Sequence, residues 1–158
     1  MSSEEEEKRD KLIYEIVIDR YRQEWGRTQD LDKKASSVTG FAGLLATLTA
    51  GITRLLPESQ YNFFLFIPLA LFIVSALFGL FGYWIMKWNT VDPKNLIQRY
   101  ADRSKEEVLK TYAASAVEWT QLNFISNQRK VKWIYRAFAL LVSAIMLFFI
   151  ITIVIVAA

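Results

Sequence analysis

Neither cysteine nor histidine occurs anywhere in the 158 residues. Their absence removes disulfides, thiol redox chemistry, Cys/His zinc sites, Cys or His nucleophile–base pairs and histidine pH switching. Glycine and proline are scarce, six and three, and there is no Gly-rich phosphate loop, no HExxH and no GxSxG. No metal set, cofactor site or catalytic constellation can be assembled, so the chain is not expected to be an enzyme. Ser104, Glu106 and Glu107 fit helix capping better than catalysis. Glu118, the best isolated carboxylate, fits a solvated or ion-paired face.

Charge is also missing over long runs. Residues 35–53, 63–86 and 137–158 contain no Asp, Glu, Lys or Arg, and each run is close to the ~20 residues that carry a helix across the hydrocarbon core. With 53% hydrophobic residues beside 22% charged ones, this segregation predicts an all-α integral membrane protein with three transmembrane helices. An amphipathic helix and linker should fill residues 1–34, followed by a first span at 35–54 and a turn at 55–62. A second span at 63–88, a helical segment at 89–132 and a third span at 133–158 complete the expected order.

Lys and Arg set the expected orientation. Eight lie in the first 34 residues and nine between Lys87 and Lys132, whereas Arg54 is alone between the first two spans. The N-terminus and the 89–132 segment should face the cytoplasm, with the C-terminus outside, in a plasma or bacterial inner membrane. Thirty-four residues opening on Glu4 to Glu7 precede the first run, so no cleavable secretory signal is expected. The net charge of +3 is dispersed among acidic residues and gives no concentrated basic surface for nucleic acid.

In the N-terminal segment Ile13, Val17, Tyr21 and Trp25 recur at four-residue steps, a helical face. It should pack on the cytoplasmic helical segment, the alternative being an interfacial helix held by Tyr14, Tyr21 and Trp25. Gly26 is the expected stop. The second span, rich in Phe and Leu, reads as lipid-facing, anchored by Tyr83, Trp84, Lys87 and Trp88, with Pro68 near its outer end. Asp92 and Pro93 open a short helix. Ser104, with Glu107 three residues on, opens another at Lys105. Since neither Gly nor Pro follows, that helix should run unbroken into the third span, so that a long third helix extends into the cytoplasm. Val108, Leu109, Tyr112, Ala116, Trp119, Asn123 and Ser126 form its inward stripe.

The first span has a different texture. Thr39, Gly43, Thr47 and Gly51 fall on one line with Ser36 and Gly40 beside them, and Ala42, Ala46 and Ala50 form a second small line. Small residues allow close helix packing. Alternatively, hydroxyls and exposed carbonyls line a water-filled path at the centre of an oligomer. Asp32, Lys33 and Lys34 at the inner end, and Arg54 and Glu58 at the outer, would be the mouth charges. Arg129, Lys130, Lys132 and Arg136 mark the inner boundary of the third span, either as topology-setting, snorkelling side chains or as a contact for anionic lipid or another anion.

The order of elements, with "LDKKAS" entering the small-residue span, "DPKNLIQRYADRSKEEVLKTY" after the second and "NQRKVKWIYRA" entering the third, resembles the SLATT and Pycsar-type transmembrane effectors, small prokaryotic membrane proteins. That resemblance implies membrane permeabilisation and carries no nucleotide pocket to named residues. Locally, "KASSVTGFAGLL" is similar to the inner part of Orai pore helices, although that family's pore glutamate would fall near residues 52–54, where none stands. The expectation is a homo-oligomeric pore or ion channel with the first span at its axis. The alternative is a non-conducting membrane scaffold whose cytoplasmic helices bind a protein partner.

Overall fold

The computed structural model describes residues 3–55, 60–84 and 104–157, and among these it is helical throughout. Helix α1 is Ser3–Leu55, a 3-10 helix covers Gln60–Leu65, α2 is Phe66–Trp84 and α3 is Lys105–Ala157. Three helices are long and apolar enough to cross a membrane. The short helix expected at Asp92 and Pro93 lies outside the described residues, as do Glu58, Lys87, Trp88 and residues 56–59 of the expected turn.

Local chemistry explains the helix starts. Glu4, Glu5 and Glu6 occupy the first turn of α1, where carboxylates suit the positive end of the helix dipole. Ser104 caps α3: its Oγ accepts from Glu107 N at 3.3 Å, and its carbonyl accepts from Val108 N at 3.1 Å. Pro68 sits in the first turn of α2, where its missing N–H costs no intrahelical bond. The expected stop at Gly26 is not used, and α1 passes straight through it. No glycine takes a positive φ, the conformation by which glycine ends a helix; in a helix interior it costs only about 1 kcal/mol.

Each helix buries one line of side chains spaced alternately by three and four. In α1 the covered positions are Asp10, Tyr14, Val17, Tyr21, Glu24 and Thr28, and then Leu31, Ala35, Val38, Ala42, Leu45 and Thr49. The second span follows the same rule with Leu65, Pro68, Phe72, Ser75, Gly79 and Gly82, and α3 with Ala113, Ala116, Thr120, Asn123, Asn127, Lys130, Ile134, Ala137, Leu141 and Ala144. A mean step of 3.5 residues is the repeat of left-handed side-by-side packing. It corrects the four-residue reading of the N-terminal face. Steps of four drift by about 40° each, so Val17 and Tyr21 remain on the covered face while Ile13 and Trp25 are exposed.

Two compact units divide the contacts. The first, Met1–Gln29 with Met86–Asn127, has a polar and aromatic seam. Tyr14 meets Tyr112 with ring centroids 6.0 Å apart, and Tyr112 meets Trp119 at 6.2 Å. Thr28 Oγ1 lies 3.0 Å from both Glu24 O and Asn127 Oδ1, while Asn127 Nδ2 donates to Glu24 Oε2 at 3.0 Å. Lys110 Nζ lies 3.2 Å from Asp10 Oδ2. That hydrogen-bonding ammonium, with Arg9 adding to it against the cost of burial, holds the Asp10 carboxyl below its ordinary value. Burial, with Tyr14 and Tyr21 nearby, pushes the Tyr112 hydroxyl up.

The second unit, Asp30–Ile85 with Gln128–Ala158, is built from small residues. Ala42, Phe72, Leu141 and Ala144 form its buried core. Ala42 shares a core with Leu141 while Asp32 pairs with Lys130, so α1 and α3 advance in the same direction here. Gly79 meets Thr39 and Phe72 meets Ala42, so α2 runs opposite to α1. Ser75 Oγ donates to the carbonyl of Ala137 at 2.7 Å, a bond between helices that requires close backbones.

Candidate functional site

The expected stripe on the first span separates into two parts. Thr39 is half-buried and packs on Gly79 of α2. Ser36, Gly40, Gly43, Thr47 and Gly51 are exposed, and a Cβ placed on Gly40, Gly43 or Gly51 would meet nothing within 4 Å. The seam explains the division. With Ala35, Ala42 and Thr49 turned into the unit, residues about 100–160° away around the helix are left outside. The second small line divides similarly: Ala42 is buried, Ala46 half-buried and Ala50 exposed.

Several hydroxyls on this span bond back to their own helix. Thr47 Oγ1 donates to Gly43 O at 3.0 Å, Ser37 Oγ to Lys33 O at 2.9 Å and Thr49 Oγ1 to Leu45 O at 2.8 Å. Donation to the i−4 carbonyl leaves the lone pairs of the hydroxyl oxygen unused, so Thr47 offers the stripe an acceptor rather than a donor. Bulky Phe41, Leu44 and Leu48 stand beside it, all exposed.

The charges divide as well. Lys33, Lys34 and Arg54 are exposed, and Lys33 Nζ lies 4.0 Å from Asp30 Oδ1, both side chains being open to solvent. Asp32 is half-buried and is the ion-pair partner of Lys130. This places Lys130 differently from its neighbours. Its side chain is 2% exposed, and its ammonium faces the Asp32 carboxylate. An ammonium buried at that level needs a carboxylate, and α1 supplies one. Arg129, Lys132 and Arg136 remain on the surface, with the Arg136 guanidinium 5.3 Å from the centre of the Trp133 ring. Trp133 in turn packs edge-on against Phe78 at 5.2 Å and beside Phe81 at 5.7 Å.

Sequence reasoning missed three features. The Lys130–Asp32 pair joins residues 98 apart and could have been found only by extending the 3–4 repeat of α3 through Lys130. The polar junction of Glu24, Thr28 and Asn127 lies on the same two repeats. The third is a groove of about 570 Å³ in the second unit, formed between residues 31–38 of α1 and 131–138 of α3. Among the described residues no group of three or more carboxylates is placed to hold a metal ion. Comparison with protein families, with curated proteins and with solved structures finds no match for this chain, so the likeness to SLATT-type and Orai proteins rests on the quoted segments alone.

Proposed function

We propose that this chain assembles with copies of itself in a membrane into an ion-conducting pore, with the open small-residue stripe of α1 turned toward the shared axis. One observation carries the reading: among the described residues a Cβ on Gly40, Gly43 or Gly51 would meet nothing within 4 Å, although they lie on an apolar helix where lipid alone would give no reason for glycine. Ser36 and Thr47 add acceptors along the same line, which suits a narrow wet path. No carboxylate lies in residues 35–53, so the pore would discriminate weakly among ions, with Lys33, Lys34 and Arg54 as its mouth charges. The N-terminus faces the cytoplasm in this arrangement, the first unit provides assembly or gating, and permeabilisation is the activity that follows.

A second reading has its own support. Thr47 Oγ1 donates its hydrogen bond to Gly43 O and so needs no water acceptor, as in a dry seam between copies of a non-conducting scaffold. The two separate in planar bilayers. Purified protein should give stepwise conductance, and Gly43→Leu or Thr47→Leu should reduce it at least about tenfold while leaving the helical content unchanged. Oligomers without conductance select the scaffold. If neither substitution alters oligomer size or current, the stripe has been assigned wrongly.

A further inference from the structure

We infer that the groove between residues 31–38 of α1 and 131–138 of α3 is a binding site for one anionic phospholipid of the inner leaflet. The inference rests on the membrane reading and does not require conduction, although it assigns Lys33 and Lys34, the mouth charges of the pore reading, to a lipid headgroup instead. Leu31, Val38, Ile134 and Phe138 give the groove an apolar wall, and Lys33, Lys34 and Tyr135 line it as well. Its two sides change character together. On α1 the lysines end immediately before the uncharged run 35–53, and on α3 Arg136 is the last charge before 137–158. Since the two segments run in the same direction, the groove straddles the level at which charge stops, cationic at one end and apolar at the other.

That polarity matches a molecule with a phosphate at one end and hydrocarbon at the other. A small soluble anion would have no use for the apolar wall, and a neutral lipid none for the lysines. The charge count also favours an anion. Asp32, the acidic residue between Leu31 and Lys33, is spent on buried Lys130, Lys33 has only a solvent-open Asp30 at 4.0 Å, and Lys34 has no carboxylate partner among the described residues. Tyr135 is exposed, with an amphipathic ring suited to the headgroup level. A basic side chain near an anionic membrane surface contributes about fivefold in lipid affinity, so two should be readily measurable.

The test is native mass spectrometry of the full chain released from detergent in the presence of phosphatidylglycerol or phosphatidylcholine with the same acyl chains, and of glycerol phosphate as a headgroup alone. Phosphatidylglycerol should be retained as a discrete adduct in preference to phosphatidylcholine, with no adduct of glycerol phosphate. Lys33→Gln and Lys34→Gln should each lower that preference about fivefold. Ser37→Trp, which fills the groove without removing charge, should lower adducts of both lipids. Equal retention of the two lipids overturns the inference, as does an adduct of glycerol phosphate equal to that of the lipid. So does a preference abolished by Lys132→Gln with Arg136→Gln while Lys33→Gln and Lys34→Gln leave it intact. Alkaline carbonate extraction of membranes keeps the two readings apart: a chain that stays in the pellet without lipid preference refutes the groove alone, whereas a chain that is extracted refutes the membrane reading and the groove with it.

Discussion

The glycines of α1 and α2 have opposite circumstances. A Cβ on Gly79 would collide with the Thr39 hydroxyl and lie 3.3 Å from the carbonyl of Ala35, and one on Gly82 would lie 3.2 Å from Ile134 Cγ1. In the first span, Gly40, Gly43 and Gly51 meet nothing. The fold therefore accounts for the glycines of α2, which let the three helices of the second unit close on one another, and leaves those of α1 unexplained within one chain. Lysines divide in the same way: Lys130 is consumed by the fold, while Lys33, Lys34 and Lys132 are left open.

The largest effect should come from the consumed lysine. Lys130→Met strands an Asp32 carboxylate whose side chain keeps 34% exposure, so the loss should fall toward or below the low end of the ~3–5 kcal/mol for breaking a fully buried pair; thermal unfolding in detergent should show it. Pairing that change with Asp32→Leu should restore most of the loss, since an apolar pair of similar volume needs no compensation. Lys132→Met, on the open side, should move the midpoint little.

Next come the consumed glycines. Gly79→Ala and Gly82→Ala should each destabilise by about 1–3 kcal/mol through overpacking, with Gly79 the more sensitive because its Cβ would collide with Thr39 and press on a backbone carbonyl at 3.3 Å, whereas the tight contact at Gly82 is a side-chain carbon at 3.2 Å. Gly43→Ala, by contrast, should change unfolding by less than about 0.5 kcal/mol, or stabilise slightly. Equal costs at Gly79 and Gly43 would erase the distinction between the two helices.

The smallest effect concerns the first unit. Because Asp10 is held below its ordinary pKa by Lys110, its contribution to stability is present above the unfolded carboxylate value, about 3.9. That contribution is lost as pH falls through the lower folded value. Lys110→Gln should weaken this acid-limb dependence, leaving the smaller part due to Arg9, read from unfolding curves between about pH 5 and pH 2. Tyr112, whose value is raised by burial, has the opposite sign. Its contribution is present below about pH 10 and is lost as pH rises through the higher folded value.

Much of the architecture can be read from uncharged runs and capping residues. Ser104 opens α3, and the absence of Gly and Pro carries that helix through to Ala157. The inward stripe from Leu109 to Ser126 is covered along its length. Boundaries within α1 were less legible, because Gly26 looks like a stop in sequence and is absorbed by the helix on both sides of it. The candidate site was legible as composition and not as partition. Ser36, Thr39, Gly43 and Lys130 all stand out as residue types, yet which of them face the chain's own helices depends on the phase of a 3.5-residue repeat. A reading at four-residue steps loses that phase within a few turns.

Cross-linking tests the central claim most directly, and the natural lack of cysteine supplies a clean background. A single Gly43→Cys variant in native membranes, treated with a mild oxidant, should form a disulfide-linked dimer. Leu77→Cys, on the exposed face of α2, should remain monomeric under the same treatment. A Gly43→Cys chain that stays monomeric, or that cross-links no more readily than Leu77→Cys, would contradict the assignment of the open stripe to contact between copies.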